Sequence, residues 1–111
     1  MTAAADGLVP VSGLKPEQVD EGTLVAVTLA NGARLCIGRH QGALFAVKDS
    51  CPHSEYPLSE GTLYANGELE CCWHGAKFSC VTGEVLRGPA EDPLVRYEIE
   101  EREGGMWVRR A

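Results

Sequence analysis

Two short motifs in the middle of the chain carry side chains that bind transition metals. The first is a Cys-x-His motif at residues 51–53, the second is a Cys-x-x-His motif at residues 71–74, and residues 54–70 separate them. Each motif offers one thiolate and one imidazole, which are ligands that zinc and iron–sulfur centres use in proteins. The sequence therefore predicts a metal centre, and its four candidate ligands are Cys51, His53, Cys71 and His74.

Two kinds of centre use two Cys and two His. A structural zinc site binds this set tetrahedrally, but its usual spacing pairs Cys with Cys and His with His. A Rieske [2Fe-2S] centre has two His in place of two Cys on one of its irons. The two mixed pairs in this chain therefore favour the iron–sulfur centre, while zinc remains the alternative.

Several stretches around the two motifs resemble the Rieske ferredoxin family. They are PLSEG at 57–61, CxWHG at 71–75 and FxxxTGEV at 78–85. The resemblance implies one [2Fe-2S] cluster per chain, with Cys51 and Cys71 on an inner iron and His53 and His74 on an outer iron. Cys72 departs from the family pattern, which usually has Pro at that position.

Residues beside the motifs predict the subclass. High-potential Rieske proteins carry an extra Cys in each loop, joined as a disulfide, whereas this chain has Tyr56 and Trp73 at those positions. Those proteins also donate hydrogen bonds to the cluster from Ser and Tyr hydroxyls, and the matching residues in this chain are Ala76 and Phe78. Fewer donors stabilise the reduced cluster less. We therefore expect a low potential, near ~ −150 mV, as in the ferredoxins of bacterial aromatic-ring oxygenase systems.

The pattern around the motifs is typical of an all-β fold. Short β-branched runs such as 23–29 alternate with turn signals, of which Asn31-Gly32 and Asn66-Gly67 are strong hairpin signals. His40 is expected in a solvated turn and Cys36 in a strand core. The resemblance adds a Rieske-type architecture of stacked antiparallel sheets with a small inserted cluster-binding subdomain at about residues 50–80, all within a single domain spanning 1–111.

Composition excludes several classes of partner. Sixteen acidic against ten basic residues give a formal net charge of −6, which disfavours nucleic acid because phosphate binding needs a basic face. No apolar run has the length of a membrane span, and the first seven residues lack the pattern of a signal peptide. Five cysteines at uneven spacing do not make a disulfide framework. We therefore expect a soluble, cytoplasmic protein, although a Cys72–Cys80 bridge stays open.

The predicted function is electron transfer rather than catalysis. A terminal oxygenase also needs a mononuclear iron held by two His and a carboxylate, but the chain has three His and the cluster uses two of them. The resemblance implies a monomeric carrier that moves one electron from a flavin-dependent ferredoxin reductase to a terminal oxygenase. Two alternatives are a Rieske-like small subunit of a nitrite reductase-type complex and a zinc-stabilised interaction module.

Overall fold

The regular secondary structure of the described residues consists almost entirely of short strands. The structure, a computed structural model, describes residues 8–52, 56–72, 75–88 and 92–110. These residues contain two 3₁₀ turns, Pro16–Gln18 and Leu58–Glu60, and no α-helix, which confirms the predicted all-β class. No helix in this part of the chain is long and apolar enough to cross a membrane. The strands are β1 (Val9–Val11), β2 (Leu24–Thr28), β3 (Arg34–His40), β4 (Ala43–Lys48), β5 (Thr62–Leu63), β6 (Glu68–Glu70), β7 (Lys77–Ser79), β8 (Val85–Arg87), β9 (Arg96–Arg102) and β10 (Gly105–Arg110).

The strands form two antiparallel sheets. The large sheet has the order β1-β10-β9-β4-β3-β2, and the small sheet has the order β5-β6-β7-β8. The small sheet follows β4 and precedes β9 in the chain, so it is an insertion between two neighbouring strands of the large sheet. This arrangement confirms the predicted stacked antiparallel sheets. The boundaries of the predicted domain and subdomain stay predictions.

Tight turns set the register of the hairpins. Gln41 and Gly42 have φ values of 52° and 80° between β3 and β4, as a two-residue turn with positive φ requires. His40 is the last residue of β3 and is half-buried, so its predicted place in a solvated turn is wrong. Its Nε2 lies 2.9 Å from the position that a Cβ on Gly67 would take, so the side chain packs against the turn between β5 and β6.

Alternate residues of β3 face two different cores. Leu35 and Ile37 pack into one cluster with Ala46, Met106 and other residues of the large sheet. Cys36 points to the opposite face, because successive side chains of a strand alternate. That second cluster, which we call the inter-sheet core, comprises Cys36, Val47, Cys51, Leu58, Leu69, Cys71, Ala76, Phe78, Cys80 and Leu94.

Candidate metal centre

Two loops with the same closing hydrogen bond contain the predicted motifs. The backbone N–H of Cys51 donates to the carbonyl of Tyr56 at 2.8 Å, and the backbone N–H of Cys71 donates to the carbonyl of Ala76 at 2.8 Å. In both loops the donor is the first Cys of the motif and the acceptor lies five residues later. We call them the first loop, 51–56, and the second loop, 71–76. The predicted ligands His53 and His74 belong to these loops but lie outside the described residues.

The two predicted Cys ligands are buried together. Cys51 is 0% exposed and Cys71 is 1% exposed, and both belong to the inter-sheet core. Among the described residues no group of three His, Cys, Asp or Glu side chains could hold a metal ion. Two cysteines at loop starts in an apolar core, each with a His two or three positions later in the chain, nevertheless fit the donor set of a [2Fe-2S] centre.

A buried carboxylate supports the first loop. Asp49, which is 5% exposed, lies two residues before Cys51. Its Oδ1 accepts a hydrogen bond from the backbone N–H of Ser59 at 2.7 Å, and its Oδ2 accepts one from the Ser59 hydroxyl at 2.7 Å. Hydrogen bonds to a charged acceptor are about twice as strong as neutral ones. Asp49 therefore ties the chain entering the first loop to the 3₁₀ turn that follows it.

Gly61 brings the end of that turn against the second loop. A Cβ on Gly61 would lie 2.0 Å from the carbonyl oxygen of Glu70, the residue before Cys71. No side chain fits at that distance, so only glycine allows this approach of the two backbones. This contact sets the chain after the first loop directly beside the chain that enters the second.

Apolar side chains occupy the two core positions on which the subclass prediction depends. Ala76 and Phe78 are both 0% exposed and share the inter-sheet core with Cys51 and Cys71. The nearby Ser59 hydroxyl is engaged by Asp49. Neither the Ala76 nor the Phe78 side chain can donate a hydrogen bond to the predicted centre, and the low potential stays a prediction.

The other three cysteines differ from the predicted ligands. Cys36 and Cys80 are buried, Cys72 is exposed, and no disulfide joins Cys72 to Cys80. Burial raises the pKa of the Cys36 thiol strongly, with a further contribution from the Asp49 charge. Burial also raises the pKa of Cys80. Both side chains therefore favour the neutral thiol, and the prediction that Cys36 is a core residue is confirmed.

Sequence reasoning missed the polar residues that position the loops. Asp49 precedes the first Cys ligand by two positions and Glu70 precedes the second by one. Their partners, Ser59 for Asp49 and Tyr64 for Glu70, lie ten and six positions away. The only available signal was an acidic residue just before each motif, and by itself that pattern is common on protein surfaces.

The sequence matches one family model and ferredoxin components of dioxygenase systems. The model of the Rieske [2Fe-2S] domain family matches residues 10–98. The ferredoxin component of the p-cumate 2,3-dioxygenase system of Pseudomonas putida is 35% identical over 92 residues, which cover 83% of this chain and 78% of that protein. The ferredoxin subunit of the 3-phenylpropionate/cinnamic acid dioxygenase of Photorhabdus laumondii is 36% identical over 74 residues, covering 67% of this chain and 70% of that protein.

A solved structure is similar over almost the whole chain. It is the complex of reduced oxygenase and oxidised ferredoxin in carbazole 1,9a-dioxygenase. The matched chain has a TM-score of 0.81 and 31% sequence identity, and the match covers 92% of each chain. The similarity therefore extends well beyond the two motifs.

Proposed function

Because the chain belongs to the Rieske [2Fe-2S] domain family, we propose that it carries single electrons from a flavin-dependent ferredoxin reductase to a terminal ring-hydroxylating oxygenase. Family membership and the named relatives confirm the predicted resemblance and its [2Fe-2S] cluster. They also confirm the predicted role of a ferredoxin component, an electron carrier rather than an enzyme.

The observation that carries this proposal is the pair of equivalent loops. Each begins with a buried Cys whose N–H closes the loop on a carbonyl five residues later. We assign Cys51 and Cys71 to the inner iron, and His53 and His74 to the outer iron. This assignment is supported by the burial of both thiols in one core and by the position of each His within its loop.

The residues of the chain control what the centre can do. A bound cluster supplies one site that accepts and releases a single electron. The two thiols are shielded from water, since Cys51 is 0% and Cys71 is 1% exposed in the core that they share with Leu58, Ala76 and Phe78. Ala76 and Phe78 have no side-chain hydroxyl to donate to a bound cluster, so these two positions stabilise added negative charge little. Both features support a low reduction potential.

The partners follow from the relatives and from charge. The oxygenase partner is supported by the similarity to a chain of the oxygenase–ferredoxin complex. The reductase and the monomeric state belong to the proposal alone.

A net charge of −6 favours partners with basic docking surfaces, and such association weakens with salt. The two loops themselves expose Pro52, Tyr56 and Cys72, and these residues are available for docking. A cytoplasmic location likewise belongs to the proposal alone.

Cluster analysis tests the proposal directly. We expect anaerobically purified protein to contain equal amounts of iron and sulfide, and dithionite to produce the EPR signal of a mixed Cys/His [2Fe-2S] centre. Cys51→Ala or Cys71→Ala should abolish the signal. The matched controls Cys36→Ala and Cys72→Ala also remove one thiol each, one buried and one exposed, and should retain it. A silent spectrum with stoichiometric zinc would refute the electron-transfer function.

A further inference from the structure

The outer face of the small sheet carries a polar network. Tyr64 donates a hydrogen bond from its hydroxyl to Oε1 of Glu70. The Nζ of Lys77 lies 4.9 Å from the centre of the Tyr64 ring and 3.3 Å from Oε1 of Glu68. Glu70 pairs with Lys77 across β6 and β7, so these side chains share one face of the sheet. The opposite face belongs to the inter-sheet core.

The second oxygen of Glu70 lies against the second loop. Glu70 Oε2 is 3.2 Å from the position that a Cβ on Gly75 would take. Gly75 directly follows the predicted ligand His74 and has a φ of +71°, which side chains rarely adopt. Glu70 also directly precedes Cys71, whose N–H closes the loop. The carboxylate of Glu70 therefore lies beside Gly75, near the end of the loop, while Glu70 itself directly precedes the residue that begins the loop.

We propose that Glu70 is a positioning residue of the second loop and that its charge, held in place by Tyr64, lowers the reduction potential of the centre. A fixed negative charge near a group that gains an electron disfavours the reduced state. The hydrogen bond to Glu70 raises the pKa of Tyr64, so the hydroxyl keeps its proton and remains a donor. This inference rests on the proposed function, because it concerns the same centre.

The first test removes the charge of Glu70 and keeps the shape of its side chain. Glu70→Gln can still accept the Tyr64 hydrogen bond, so the loop contact is retained. We expect the equilibrium constant for reduction to rise about fivefold, which is ~40 mV at ~59 mV per tenfold for one electron. The matched control is Glu68→Gln, which removes the same charge from the same strand, where the side chain pairs with Lys77. Its shift should be less than half as large.

The second test keeps the charge of Glu70 and removes its hydrogen bond to Tyr64. Tyr64→Phe deletes the hydroxyl of a side chain that is 38% exposed, so the fold should tolerate it. The freed carboxylate can then leave Gly75. We expect broader EPR lines from a less uniform loop, and loss of the cluster to excess chelator about threefold faster than in the unmodified protein. The potential should move less than in Glu70→Gln.

The outcomes separate the two proposals. Unmodified protein without an iron–sulfur cluster would overturn the proposed function. A loaded protein in which Glu70→Gln and Glu68→Gln shift the potential equally would overturn the role of Glu70 and leave the proposed function intact. If Glu70→Gln cannot retain the cluster, Tyr64→Phe decides: unchanged EPR lines and an unchanged rate of cluster loss would refute the inference.

Discussion

The link between Asp49 and Ser59 should control how often the first loop opens. Ser59→Ala removes the hydroxyl that donates to Oδ2 of Asp49 at 2.7 Å and leaves the backbone bond to Oδ1 in place. The carboxylate is 5% exposed, so water cannot readily replace the lost donor. A hydrogen bond to a charged group contributes ~1.5–3 kcal/mol. Because Ser59 itself is half-buried, we take a value in the lower half of that range, about 2 kcal/mol.

This cost translates into a rate that can be measured. If the first loop must open before a chelator reaches the centre, about 2 kcal/mol raises the open population roughly 30-fold. Bleaching of the visible absorbance in excess chelator should therefore be about 30-fold faster in Ser59→Ala. Ser12→Ala makes the same chemical change at an exposed site and should bleach at the normal rate. Bleaching of Ser59→Ala within threefold of that control would refute the reasoning.

Three further predictions concern the backbone contact at Gly61 and two residues of the inter-sheet core, Ala76 and Cys36. Gly61→Ala places a Cβ 2.0 Å from the Glu70 carbonyl oxygen and should lower the free energy of unfolding, measured by urea denaturation, by ~3 kcal/mol or more. Gly88→Ala, whose new Cβ would meet no heavy atom within 4 Å, should lower it little. Ala76→Ser adds a hydroxyl beside Cys51 and Cys71, so redox titration should give a higher potential; an unchanged potential would argue against a donor effect at this site. Because burial raises the pKa of the Cys36 thiol in the folded protein, its neutral form stabilises the fold below pH ~9, and this contribution is lost as pH rises further. Cys36→Ala should therefore flatten the alkaline decline in the free energy of unfolding by up to ~1.4 kcal/mol per pH unit.

Local signals in the sequence were sufficient for the motifs and the strands. The mixed Cys/His pairs are defined by spacings of two and three residues, so residue type and distance along the chain specify the ligand chemistry. Alternating and β-branched runs with Asn-Gly turns likewise predict strands and hairpins from neighbours alone, and the all-β fold is confirmed. His40 is the exception, since a half-buried strand end looks like a turn residue when its partner Gly67 is 27 positions away.

The way in which distant polar residues support the loops depends on tertiary packing. The ligand motifs, the strand pattern and the family resemblance can be read from the sequence, because each depends on residues close together along the chain. The contacts of Asp49 with Ser59, of Glu70 with Tyr64 and Gly75, and of Gly61 with the Glu70 backbone depend on how the small sheet folds against the loops. A carboxylate before a motif has the same sequence pattern whether it is buried, paired or solvated, so packing alone determines its role.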